Sequence, residues 1–273
     1  MSEIFNFKRF GTYFLYDLRQ MWRKHSRAAI LIGGSVVIFY VVWVLCSLVF
    51  AQHWSAPIVG ARFVLLMLAF TALEFYQART YGYLTDKAEG SDWLMVPASR
   101  TEKFISMLLV TLVVIPLLFL VVYFTLDGFL SLVDPTYGKA LISGFWSTYE
   151  GLLEAIGGLG EASPIVFSTG VLLFSGIIGF ICNFLYFLLC GVCFKPHKIV
   201  WGIAIMCAFS MALSILFGLL VPVMMFNMPM TDIDEMQAAR IVVGVLNGTL
   251  VLCCVLAVGL GWGVWRRVKT LQH

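Results

Sequence analysis

The chain has 273 residues, of which 61% are hydrophobic and only 12% charged, with a formal net charge of +3. A soluble domain carries about 25% charged residues, and half that amount cannot cover a globule of this size. The composition excludes a soluble enzyme, a disordered chain and a free nucleic-acid binder, and predicts an all-α polytopic membrane helix bundle.

In chain order, the first segment is 1–27. Phe7, Phe10, Phe14, Leu18, Met21 and Trp22 recur at spacings of three and four, so a helix places them on one face. Lys8, Arg9, Arg19 and Arg23 fall largely on the other. A helix aromatic on one side and basic on the other lies in the membrane interface. The expectation is an N-terminal amphipathic elbow helix seated by Phe10, Phe14, Leu18 and Trp22, leading into a transmembrane domain over 28–273. No cleavable signal peptide is expected, because a long basic stretch precedes a first span too long for an h-region.

A spanning helix needs about 20 apolar residues. Six stretches qualify: 28–50, 57–75, 104–126, 164–194, 199–226 and 240–265. Of the 18 Lys and Arg, all but Arg62, Lys139 and Arg240 fall on one side of these spans. The opposite loops carry Asp127, Asp134, Glu150, Glu154, Glu161, Asp232, Asp234 and Glu235. The positive-inside rule then makes both termini cytoplasmic.

The longest cytoplasmic loop is 76–103, with mixed charge from Arg79 to Lys103. Gly90 interrupts it, Trp93 to Val96 form a short apolar patch, and Pro97 stops regular structure. Ser99 and Glu102 fit a capping box, which starts the third helix at Arg100. An exposed Trp93 among balanced charges suits docking to a protein partner. A solvated connector with one interfacial tryptophan has the same composition.

The external segment 127–163 is acidic, and 139–159 has helical periodicity. It reads equally as a helix on the outer leaflet, a lid or a dimer contact. The acids Asp232, Asp234 and Glu235 favour the start of the sixth helix through its dipole. Arg62 and Arg240 lie within about one turn of outer span ends, where snorkelling to headgroups is the commoner role and facing a cavity the alternative. Glu74 and Arg79 mark the inner end of the second span, facing headgroups or pairing with a neighbour. No span carries an ionisable residue near its midpoint, which argues against a proton relay or a charged ion filter. Pro116 and Pro222 are candidate kinks, and Gly244 with Gly248 permits close helix packing.

All seven cysteines lie within spans and read as packing residues. The pair Cys190 and Cys193 near His197 lacks the further ligands a metal site needs. No nucleophile elbow, zinc-protease or Walker motif is present. The chain is therefore not expected to be an enzyme, to hold a metal or to bind ATP itself.

A family pattern follows from two stretches. One is Phe5-Asn6-Phe7-Lys8-Arg9-Phe10-Gly11 with Tyr16-Asp17-Leu18. The other is Asp86-Lys87-x-x-Gly90, then Trp93-Leu94-Met95-Val96-Pro97-Ala98-Ser99-x-x-Glu102-Lys103-Phe104. Over about residues 1–110 this resembles the six-span membrane subunits of bacterial ATP-binding-cassette exporters, especially permease-like proteins of Bacteroidetes-type bacteria. The resemblance implies a permease in the bacterial inner membrane, a homodimer or a heterodimer with a second permease. It implies a separate ATPase subunit that holds ATP and magnesium. It also implies a coupling helix in the loop, with Asp86, Lys87, Glu89, Gly90 and Trp93 at the ATPase. The family's larger outer structure usually lies between spans five and six, whereas here the larger insertion lies between three and four. The rival expectation is a non-transporting accessory, sensing or scaffold protein of the membrane.

Overall fold

The computed structural model describes residues 5–51, 53–85, 90, 93, 95–144, 163–195, 197–227 and 235–270. All regular structure among the described residues is helical. In hydrocarbon every backbone amide must be satisfied within its own segment, and continuous apolar runs meet that demand as helices.

Helix α1 spans Phe7–Gly33 and α2 spans Ser35–Cys46, continued by a π-turn over Ser47–Ala51. The expected division between an elbow over 1–27 and a span from residue 28 falls inside α1. No glycine or proline occurs between Gly11 and Gly33, so nothing there ends the helix. The break comes at Gly33-Gly34-Ser35, a small-residue run of the kind at which helices bend. The Gly34 amide still reaches the Ile30 carbonyl at 2.8 Å before α2 begins.

Helix α3 spans Val59–Thr80 and ends in a 3₁₀ turn over Gly82–Thr85. Helix α4 spans Arg100–Leu109 and opens with the expected capping box. The Glu102 amide donates to Ser99 Oγ at 3.2 Å, and the Ser99 amide donates to Glu102 Oε2 at 2.9 Å. A π-turn over Val110–Val114 then leads into α5, Ile115–Val133. Pro116 has no amide proton for the helix ladder, and the wider turn just before it carries the helix past that gap. Helices α6, α7 and α8 span Ser163–Cys193, Lys198–Asn227 and Glu235–Thr270.

Among the described residues, five helical stretches are long and apolar enough to cross a membrane: Phe7–Phe50, Val59–Thr85, Arg100–Val133, Phe174–Cys193 and Asn247–Thr270. In α7 the section Lys198–Ala212 is apolar but shorter. The chain thus has the character of a multi-pass membrane protein.

Helix α6 is the spine, packed along both α3 and α8. Phe70 meets Phe180 and Phe184 edge-on, and Phe75 meets Phe187 in the same way. Gly191 lets the two backbones touch, since any Cβ there would strike the Ala78 carbonyl. One apolar cluster gathers Val36, Leu73, Phe119, Tyr123 and Phe184. A second gathers Tyr81, Leu84, Trp93, Met107, Leu188, Val192 and Val264. Arg9 reaches Glu102, and Arg100 Nη1 reaches the Lys269 carbonyl at 3.4 Å. The start of α1 and the end of α8 therefore meet the start of α4, at the end of the bundle rich in Lys and Arg.

Candidate functional site

At that basic end, three chain segments are joined by polar side chains, several of them buried. Asn6 caps α1, its Oδ1 accepting from the Lys8 amide at 3.0 Å. The Asn6 amide donates to Glu102 Oε1 at 2.9 Å. Arg9 grips the same carboxylate with two donors, Nε to Oε2 at 2.7 Å and Nη2 to Oε1 at 2.7 Å. This forked geometry is the strong form of an arginine–carboxylate pair. Glu102 thus caps α4 and fastens the start of α1 at once.

One turn further along α1, Tyr13 Oη accepts from Trp93 Nε1 at 3.0 Å. Lys103 donates to the Trp93 carbonyl at 2.7 Å, and its ammonium lies 4.6 Å from the centre of the Trp93 ring. Another turn on, Asp17 is only 3% exposed. It accepts from Tyr81 Oη at 2.9 Å and from Ser106 Oγ at 2.7 Å. Tyr13 and Asp17 are four residues apart, so both face the bundle from one side of α1.

The expectation of an exposed Trp93 is corrected: its side chain is 6% exposed and belongs to the second apolar cluster. A large ring with one donor is most stable where Tyr13 accepts that donor and Met107 and Val110 cover the rest. Gly90 is likewise helical and buried. Asp86, Lys87 and Glu89 lie outside the described residues. Of the elbow residues, Phe10 stacks on Phe14 at 6.0 Å. Phe14 and Leu18 pack onto the cluster around Tyr81 and Trp93. Trp22 is 51% exposed.

At the opposite end, Arg62 and Asp127 form an ion pair at 3.2 Å with both side chains fully buried. Neither the snorkelling of Arg62 nor the loop position of Asp127 survives. Helix α5 runs on to Val133, and the 3₁₀ turn Pro135–Tyr137 folds over the pair. Asp127 also accepts from Tyr137 Oη at 2.8 Å and from the Leu141 amide at 2.7 Å. Arg62 Nη2 donates to the Lys139 carbonyl at 3.0 Å, and its guanidinium stands 4.1 Å from the Tyr137 ring centre. Just beyond α5, burial alone would raise the Asp134 carboxyl. Hydrogen bonds from Thr136, Tyr40 and Trp54 outweigh that and hold it down at about 2. The helical reading of 139–159 is described only to Gly144, the rest lying outside the described residues.

Glu74 does not face headgroups. It is buried between α3 and α6, with a hydrogen bond to Asn183. Gln77, one turn on, is fully buried. Sequence reasoning missed the partners of Asp17, Arg62 and Glu74. The available signal was a lone polar residue at helical spacing from apolar ones, which marks burial but not the partner.

Among the described residues no three His, Cys, Asp or Glu side chains are placed to hold a metal ion. What the arrangement does is mechanical. The loop after α3 cannot shift at Trp93 without moving α1 through Tyr13 and α4 through Lys103. Asp17→Ala should leave the Tyr81 and Ser106 hydroxyls buried without an acceptor, at about 1–3 kcal/mol for each group. Thermal unfolding in detergent checks this, with Asp17→Asn expected to lose less because one acceptor oxygen remains.

No family model matches the sequence, and neither a curated protein nor a solved structure shows significant similarity to it.

Proposed function

We propose that the chain is the membrane-spanning permease subunit of an ATP-driven exporter. It crosses the bacterial inner membrane six times with both termini in the cytoplasm, and the path lies between two copies or between this chain and a second permease. A separate ATPase subunit, carrying ATP and magnesium, docks on the loop after α3. The observation that supports this reading is the bracing of that loop. Trp93 and Glu102 tie it to α1 and α4 through Tyr13, Lys103 and Arg9. A push on the loop is then delivered to two membrane helices together. Helix α1 supplies the elbow, although its aromatic face lies partly on protein.

Asp86 and Glu89 present the acidic contact to the ATPase. Reversing both to lysine should abolish stimulated ATP hydrolysis by the reconstituted complex and leave the thermal unfolding of the chain unchanged. Stimulation equal to that of the parent protein would remove these residues from the contact. Absence of any stimulation by the parent chain would favour the accessory or scaffold reading.

A further inference from the structure

One face of α1 is covered by none of the described residues along most of its length. It carries Lys8, Leu15, Arg19, Trp22 and Arg23 and borders an open groove whose far wall is Val114 and Leu118. Among the described residues no acid pairs with Lys8, Arg19 or Arg23. The groove continues into a narrow apolar cavity of about 210 Å³ between α1, α3 and α5. Met21, Trp22 and Leu118 border both. The cavity runs along α1 from Met21 to Gly34. Near its deep end α1 approaches α5 so closely that a Cβ at Gly33 would lie 3.0 Å from Val122 Cγ1.

Size and charge together select the occupant. The stretch from Met21 to Gly34 is about 20 Å of helix at about 1.5 Å per residue. One leaflet of the hydrocarbon core is about 15 Å thick. The cavity is therefore long enough for an acyl chain in one leaflet. A protein helix, about 10 Å across with its side chains, would overfill it. Its lining is almost wholly apolar, apart from the His25–Tyr76 pair, whose ring nitrogen and hydroxyl lie 2.6 Å apart, and the Ser26 and Thr80 hydroxyls. Arg19 and Arg23, one helical turn apart, sit at the mouth, where a headgroup would lie, while Lys8 lines the groove about 16 Å further along α1. Each basic group near a membrane surface attracts anionic lipid.

We infer that this face of α1 holds one anionic phospholipid. An acyl chain fills the cavity beside Ala29 and Gly33, and the phosphate headgroup lies between Arg19 and Arg23, with Lys8 adding positive charge further along the same groove. The site does not depend on whether the chain transports anything. It makes the position of α1 against α5 sensitive to the lipid composition of the leaflet at the basic end.

Native mass spectrometry of the detergent-purified full chain tests this, with phosphatidylglycerol and phosphatidylcholine of identical acyl chains as probes. One phosphatidylglycerol per chain should be retained with a preference of about tenfold or more, the scale expected for two arginines at a headgroup. The triple variant Lys8→Gln, Arg19→Gln, Arg23→Gln should lose the preference. Ala29→Phe, which fills the cavity, should lose retention of both lipids. Because Ala29→Phe risks misfolding, the thermal shift produced by phosphatidylglycerol is measured on the triple variant, whose changes are all exposed. A shift in the parent chain that the triple variant lacks supports the site. Equal retention of the two lipids, or a preference untouched in the triple variant, would overturn it. So would a dimer that retains no phosphatidylglycerol, which would make the groove a contact between copies.

Discussion

Asp127→Ala will destabilise the bundle by about 3–5 kcal/mol, the usual consequence of stranding one member of a buried ion pair. Both side chains of the Arg62–Asp127 pair are fully shielded from solvent, so water cannot replace the lost carboxylate. The same substitution takes the acceptor from Tyr137 Oη and from the Leu141 amide. Arg62→Met combined with Asp127→Leu should recover much of the loss, since a buried ion pair is often replaceable by apolar residues of similar volume. Thermal unfolding in one detergent, compared across parent, single and double variants, reads the difference. A double variant as unstable as Asp127→Ala would mean that the carboxylate acts through Tyr137 and Leu141 rather than through the arginine.

Trp93→Ala should cost about 3–5 kcal/mol, the range for deleting a buried aromatic ring. The ring is held by the Tyr13 hydroxyl and roofed by the Lys103 ammonium, so its loss frees the loop from α1. Trp93→Phe keeps a ring and gives up one hydrogen bond, at about 1 kcal/mol. The functional consequence separates transmission from docking. If the ATPase is held by Asp86 and Glu89, it will still co-purify with a folded Trp93→Phe variant, and stimulated hydrolysis will fall only modestly. Trp93→Ala will keep the partner and lose most of the stimulation. Loss of the partner in both variants would place Trp93 in the contact itself.

Much of the helical layout was legible from hydropathy. The apolar stretches 164–194 and 199–226 end within about a residue of the helix ends at Cys193 and Asn227, although in the second only Lys198–Ala212 is an apolar helix among the described residues, shorter than a span. The start at Arg100 was legible for a different reason. A capping box is local chemistry, and Ser99 and Glu102 carry all of it. The boundary at residue 27 was not legible, since polarity changes there while helix propensity does not, and α1 continues to Gly33. Third, the buried polar contacts were hidden because each joins residues distant in sequence: Asp17 with Tyr81 and Ser106, Arg62 with Asp127. Arg62 is instructive. An arginine at a span end is ordinarily free to snorkel, and here Asp127 within α5, with Tyr137 and the Lys139 carbonyl beyond it, decides otherwise. The two motif stretches near the N-terminus and in the loop proved to be partners. Asn6, Arg9 and Asp17 from the first meet Glu102 and Ser106 at the start of the third span.

The measurement that bears most directly on the permease reading is recovery of the tagged chain from its native host in mild detergent, with identification of whatever accompanies it. The account predicts a stoichiometric ATPase subunit without spans of its own, lost when Asp86 and Glu89 are reversed to lysine. Recovery of the chain alone, or with membrane proteins unrelated to ATP hydrolysis, would contradict it.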